Sequence, residues 1–197
     1  MNDRIKEIKQ SFHQMMDGAV AQSMRDKGVD YHLNWGVTLP RLREKANEIG
    51  KNYELAIALW KENVRECKIL ATMVMPADVI LPEVVDIWME QTETVEIAEQ
   101  ASMNLYQYLP YAPMKAFEWI ASDKELYQLC GFHVLSRLFM NGQEPNERGI
   151  NEFLDQVHVA LQSPNVTVRK AALNSLNRFA GLGLVYERLA DNILRRL

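Results

Sequence analysis

Val64-Arg65-Glu66-Cys67-Lys68-Ile69-Leu70-Ala71 returns in outline at Val168-Arg169-Lys170-Ala171-Ala172-Leu173: a β-branched residue, one or two charges, a small residue, then an apolar run. Weaker versions stand at Ala98-Glu99-Gln100-Ala101-Ser102-Met103 and Tyr127-Gln128-Leu129-Cys130-Gly131-Phe132. Anchored on the small residue, the series reads Cys67, Ala101, Cys130 and Ala171, with spacings of 34, 29 and 41. A self-similarity of about this length marks stacked pairs of helices. The small residue lets the second helix of each pair pack closely on its neighbours.

The flanking sequence carries helical punctuation and no strand pattern. Ile5, Ile8, Phe12, Met15, Met16 and Ala19 recur at three and four, which predicts one long first helix stopping near Gly28. A second helix starts after Thr38, with Pro40 in its first turn, and ends at Gly50. Others are expected at about 52–62, 64–75, 82–91, 93–108, 113–121, 123–140, 145–162, 164–180 and 183–196. Ser122-Asp123-Lys124-Glu125 has the spacing of a capping box. Ser163-Pro164 reads as a cap followed by proline at the first helical position. The expected fold is all-α: a HEAT-like helical-repeat superhelix (an ARM-type α-solenoid) of about eleven helices, forming a single domain over 1–197. An irregular helical bundle is the plainer alternative.

Composition narrows the function classes. The 197 residues are 48% hydrophobic and 24% charged, enough apolar content to order a chain. No apolar run approaches the ~18 residues of a membrane span. The charged start, Met1-Asn2-Asp3-Arg4-Ile5-Lys6-Glu7, lacks the apolar core of a signal peptide, so a cytoplasmic protein is expected. Cys67 and Cys130 are 63 positions apart without a Cys-x-x-Cys pair, the pattern of reduced, buried thiols. His13, His32, His133 and His158 show no metal-ligand spacing, and no phosphate loop or nucleophile motif occurs. No metal or cofactor is expected.

Twenty-two basic against twenty-six acidic residues give a net charge of −4, so no whole-chain basic excess advertises nucleic acid. A solenoid can still gather cations. Successive inner helices line one concave surface with their first turns, where unpaired amides favour anions such as phosphate. Arg65, Arg169 and Lys170 stand just ahead of the anchors, and Lys68 and Arg137 further along the same helices. The plain alternative for each is a solvated helix face.

Trp35-Gly36-Val37-Thr38-Leu39-Pro40-Arg41-Leu42-Arg43, Tyr53-Glu54-Leu55-Ala56 to Leu59-Trp60, and Arg65-Glu66 to Ile69-Leu70-Ala71-Thr72 resemble the DNA alkylation repair (AlkD-like) glycosylases. So do Met103-Asn104-Leu105, Pro110-Tyr111-Ala112 and Lys115-Ala116-Phe117-Glu118-Trp119, and the similarity runs in order over about 30–180. The resemblance implies HEAT-like repeats whose concave face cradles double-stranded DNA. It also implies excision of cationic N3- or N7-alkylpurines, which leave without a general acid. A carboxylate against the sugar then stabilises the developing charge, and aromatic faces add cation–π attraction.

Carried across by that resemblance, the catalytic aspartate falls on Glu99, a tryptophan on Val95, an arginine on Leu129 and a second tryptophan on Asn174. Trp35 keeps an aromatic position. Glu99 retains the charge one methylene further out, Val95 offers no π face, and Leu129 cannot grip a phosphate. Glu93 and Glu96 suit a helix N-terminus by charge alone. Trp60, Trp88 and Trp119 suit the core. Two readings follow. One is a DNA-binding protein contacting duplex backbone through Trp35, Arg65, Lys68, Arg137, Arg169 and Lys170, with glycosylase chemistry at Glu99. The other is a catalytically silent repeat scaffold binding another protein or unusual DNA structures.

Overall fold

A computed structural model describes all 197 residues and contains twelve α-helices, a 3₁₀ turn and no strand. The helices are α1 (Asn2–Gln14), α2 (Gly18–Asp26), α3 (Leu39–Ile49), α4 (Tyr53–Trp60), α5 (Arg65–Val74), α6 (Pro82–Glu90), α7 (Val95–Asn104), α8 (Ala112–Ile120), α9 (Glu125–Met140), α10 (Glu147–Leu161), α11 (Val166–Ala180) and α12 (Leu184–Leu194). The 3₁₀ turn, Tyr106–Tyr108, lies between α7 and α8. None of these helices is long and apolar enough to cross a membrane. The four repeat anchors fall on α5, α7, α9 and α11, and all are buried.

The chain divides into two compact units, Met1–Leu105 and Tyr106–Leu197. In the N-terminal unit α5 is central, packed against α3, α4 and α7. Trp60 and Trp88 stack in its core with centroids 4.2 Å apart. Lys51 closes the C-terminus of α5, its Nζ donating to the Met73 and Met75 carbonyls at 2.9 and 3.1 Å. In the C-terminal unit α9 packs between α8 and α11, and α11 also touches α10 and α12. Phe139, Phe153 and Phe179 meet at 5.0–5.5 Å, a cluster that ties α9, α10 and α11 together.

Three local expectations are corrected. The long first helix breaks at Met15–Asp17, because Asp17 accepts the amides of Ala19 and Val20 and caps α2. The Asp17 amide itself donates to the Trp35 carbonyl at 2.9 Å, so a distant loop fixes the break. The helix expected over 93–108 stops at Asn104 and yields to the 3₁₀ turn. Neither serine caps as its spacing suggests: Ser122 accepts from Lys124 N–H, while Glu125 accepts from Asn165 at 2.6 Å. Asn165, not Ser163, caps α11, and Pro164 stays outside it.

Candidate nucleic-acid interface

Arg65 opens α5 but does not face solvent. It is 2% exposed and makes four hydrogen bonds. Nε and Nη2 grip Glu96 at 2.8 and 2.6 Å as a fork, the strong bidentate form of a charge-assisted contact. Nη1 donates to the Val37 carbonyl at 2.9 Å and to Glu66 at 3.1 Å. Glu66, 0% exposed, accepts the Trp35 and Val37 amides at 3.3 and 3.2 Å. Tyr31 donates to Glu96 at 2.6 Å, its hydroxyl also 3.0 Å from that of Thr94. One buried network thus binds the 31–37 loop, the start of α5 and the start of α7.

That arrangement departs from the exposed cation expected at Arg65: the guanidinium is buried and turned to protein acceptors. It also changes the reading of Glu96, which is an ion-pair partner and not merely a dipole residue. Burial would raise the Glu96 pKa, but the Arg65 bonds and charge, aided by Tyr31, hold it below the ordinary carboxylate value. Burial and the hydrogen bond to Glu96 push the Tyr31 phenol well up. Trp35 is half-buried, its ring 6.1 Å from Phe12, and its backbone closes the network.

The remaining sites lie elsewhere. Lys68 sits half-buried with Nζ 4.4 Å above the Trp60 ring, and burial lowers its pKa against the opposing pull of Glu93. On α7, Val95 is 40% exposed, with Glu99 half-buried one turn below. Burial, then the charge of Glu96, raises the Glu99 pKa, which disfavours the ionised form. Leu129 is 2% exposed, enclosed in the core of the C-terminal unit.

The C-terminal unit carries an open face that sequence reasoning only half found. Lys170, Leu173, Asn174, Asn177 and Arg178 are all exposed on α11 at i, i+3, i+4, i+7 and i+8, so they share one side. Asn174 reaches Ser136 of α9 at 3.4 Å, and half-buried Arg137 follows Ser136 in α9. Arg169 is turned back, its guanidinium donating to the Ser163 carbonyl. Helix α11 contains three cations and no carboxylate, whereas its neighbour α10 contains three carboxylates and Arg148. Asn177 and Arg178 were missed; the helical spacing from Lys170 was the available signal.

The units differ in charge. The N-terminal unit has twelve basic and seventeen acidic residues, net −5, and the C-terminal unit ten and nine, net +1. On α11 the two exposed cations, Lys170 and Arg178, stand without a carboxylate on their own helix.

The chain is similar in fold to a solved structure described as "a new family of proteins related to the HEAT-like repeat DNA glycosylases with affinity for branched DNA structures". The TM-score is 0.85 at 19% sequence identity, covering 96% of this chain and 81% of that one. A search of curated proteins finds no match. The family model described as DNA alkylation repair enzyme matches residues 8–181, most of the sequence and both units. On that match, the chain belongs to the DNA alkylation repair family.

Proposed function

We propose that this protein binds DNA through its sugar-phosphate backbone, using the exposed α11 face as the principal contact. The observation that carries the reading is Lys170, Asn174, Asn177 and Arg178 on a helix without a carboxylate, in a member of a DNA repair family. Lysine and arginine neutralise phosphates, and asparagine amides donate to phosphate oxygens without reading sequence. The affinity for branched DNA described for the similar structure makes junctions a natural ligand beside plain duplex. Duplex and four-way junction are titrated at two salt concentrations. Affinity falling linearly in log–log against salt is expected; no binding to either DNA at low salt overturns the reading.

The residues at the other positions carried over from the family argue against efficient excision. Charge stabilisation at a departing base needs an ionised carboxylate held against the sugar. Glu99 keeps a carboxylate at the position the resemblance gives to the aspartate, one methylene further from its backbone. Val95 and Asn174 supply no aromatic face, and Leu129 lies inside. Duplex containing N7-methylguanine is expected to release no base above the buffer rate. Release that disappears in Glu99→Gln would instead establish a working glycosylase.

A further inference from the structure

Ten lysines occur in the chain, and four of them, Lys9, Lys45, Lys68 and Lys115, are not exposed. Lys9, Lys45 and Lys115 each pair with a carboxylate, from Glu62, Glu48 and Glu118. Lys68 makes no hydrogen bond or ion pair; its Nζ lies 4.4 Å above the Trp60 ring. An indole face offers no acceptor for the protons of an ammonium. Burial lowers the Lys68 pKa, with the Glu93 charge opposing it, so more of this amine is neutral than in an exposed lysine. A neutral lysine amine in such a setting is a nucleophile toward carbonyl carbon.

Lys68 also lines a small pocket of about 30 Å³ at the starts of α5 and α7, walled by Asn63, Gln91, Glu93, Thr94 and Ile97. Beside it, Gln91 accepts the Trp60 Nε1–H at 2.9 Å and Trp88 stacks on the same indole, which holds the ring under the amine in place. One water needs ~10–15 Å³, so the space takes a carbonyl group and excludes a purine or pyrimidine. We propose that Lys68 captures aldehydes as an imine, and that its ligand is the C1′ aldehyde of a ring-opened abasic site in DNA. The choice of ligand rests on the DNA-binding reading above. An abasic nucleotide has lost its base and presents a narrow carbonyl end where an intact nucleotide presents a ring too large to enter. In the step, the ammonium gives one proton to the Glu93 carboxylate and the Nζ lone pair attacks C1′. The proton returns to the carbinolamine oxygen, which leaves as water, and the N–C1′ double bond closes as a protonated imine.

The test has two arms on the full chain. In the first, without DNA, formaldehyde and cyanoborohydride are applied briefly at neutral pH and methylation is located by peptide mass. Lys68 should be modified ahead of the other nine lysines. Modification no faster than at Lys61, its exposed neighbour on the sequence, overturns the proposal whatever the protein does with DNA. In the second, a duplex with one abasic site is incubated with cyanoborohydride, whose hydride reduces the imine to a stable secondary amine, and run on a denaturing gel. The parent should give a covalent product; Lys68→Arg, which keeps the charge, should lose it, and Lys61→Arg should retain it, both with the parent's helicity. Binding of the abasic duplex without a trapped product, or a product that survives Lys68→Arg, overturns the proposal. Failure to bind either abasic or undamaged duplex at low salt sinks the DNA reading, and the abasic ligand with it, while the formaldehyde arm still decides the reactivity of Lys68.

Discussion

Arg65 and Glu66 are adjacent in sequence and both buried; Arg65 pairs with Glu66 beside it and with Glu96 about thirty positions away, and Glu66 also accepts the Trp35 and Val37 amides. Replacing Arg65 by alanine leaves Glu66 and Glu96 without their cation in a poorly hydrated setting, a change that costs about 3–5 kcal/mol. Urea unfolding of Arg65→Ala should show that loss, and Arg65→Lys part of it, since lysine cannot form the fork. The two glutamates on α7 have opposite signs. Glu96 is held below the ordinary value of ~4.3, so its contribution to stability is present above that pH and lost as pH falls through its folded value. Glu99 is raised, so its contribution is present below ~4.3 and lost as pH rises through its folded value. Unfolding midpoints from pH 2 to 7 test both, with Glu96→Gln flattening the acid loss and Glu99→Gln the reverse trend. Glu99, as the carboxylate at the position the resemblance gives to the aspartate, was legible in the sequence. The Arg65 network was not, because a charged residue opening a helix ordinarily lies in water.

At the scale of elements, apolar recurrence at three and four marked most helices, and the anchors fit the pairing of α4 with α5, α8 with α9 and α10 with α11, whereas α7, which carries the anchor Ala101, packs chiefly on α5 and not on α6. The break between α1 and α2 escaped it, because periodicity continues in phase across Asp17 while the cap and the Trp35 carbonyl interrupt the backbone. The repeat anchor was read as Cys130, but the closest approach of α8 to α9 is at the next residue. A Cβ on Gly131 would lie 2.6 Å from Ile120 Cγ2 and 2.8 Å from the Ala116 carbonyl oxygen. Gly131→Ala should therefore separate α8 from α9 and cost about 1–3 kcal/mol. A thermal melt checks it, with Gly142→Ala as a comparison where no neighbour lies within 4 Å and only the backbone resists.

For the whole molecule, the net charge of −4 conceals a division between units of −5 and +1. If the α11 face holds phosphates, Lys170→Ala/Arg178→Ala should lower the log–log salt slope of DNA binding by about 2, one for each cation. Glu83→Gln/Glu90→Gln should leave that slope unchanged, since α6 carries no phosphate contact. Equal slopes in all three proteins would remove α11 from the interface.

Helix content, repeat length and family were legible in the amino-acid order alone, because periodicity, small anchors and motif order are properties of neighbouring positions. Which cations are available to a ligand was decided only by packing. Arg65 and Arg169 bond to protein acceptors, Lys68 rests on an indole, and Lys170 and Arg178 stay in water. The physical reason is that a charge becomes a contact or a strut according to the acceptors around it. Those acceptors come from other helices, placed by burial of apolar faces at separations that local sequence does not encode.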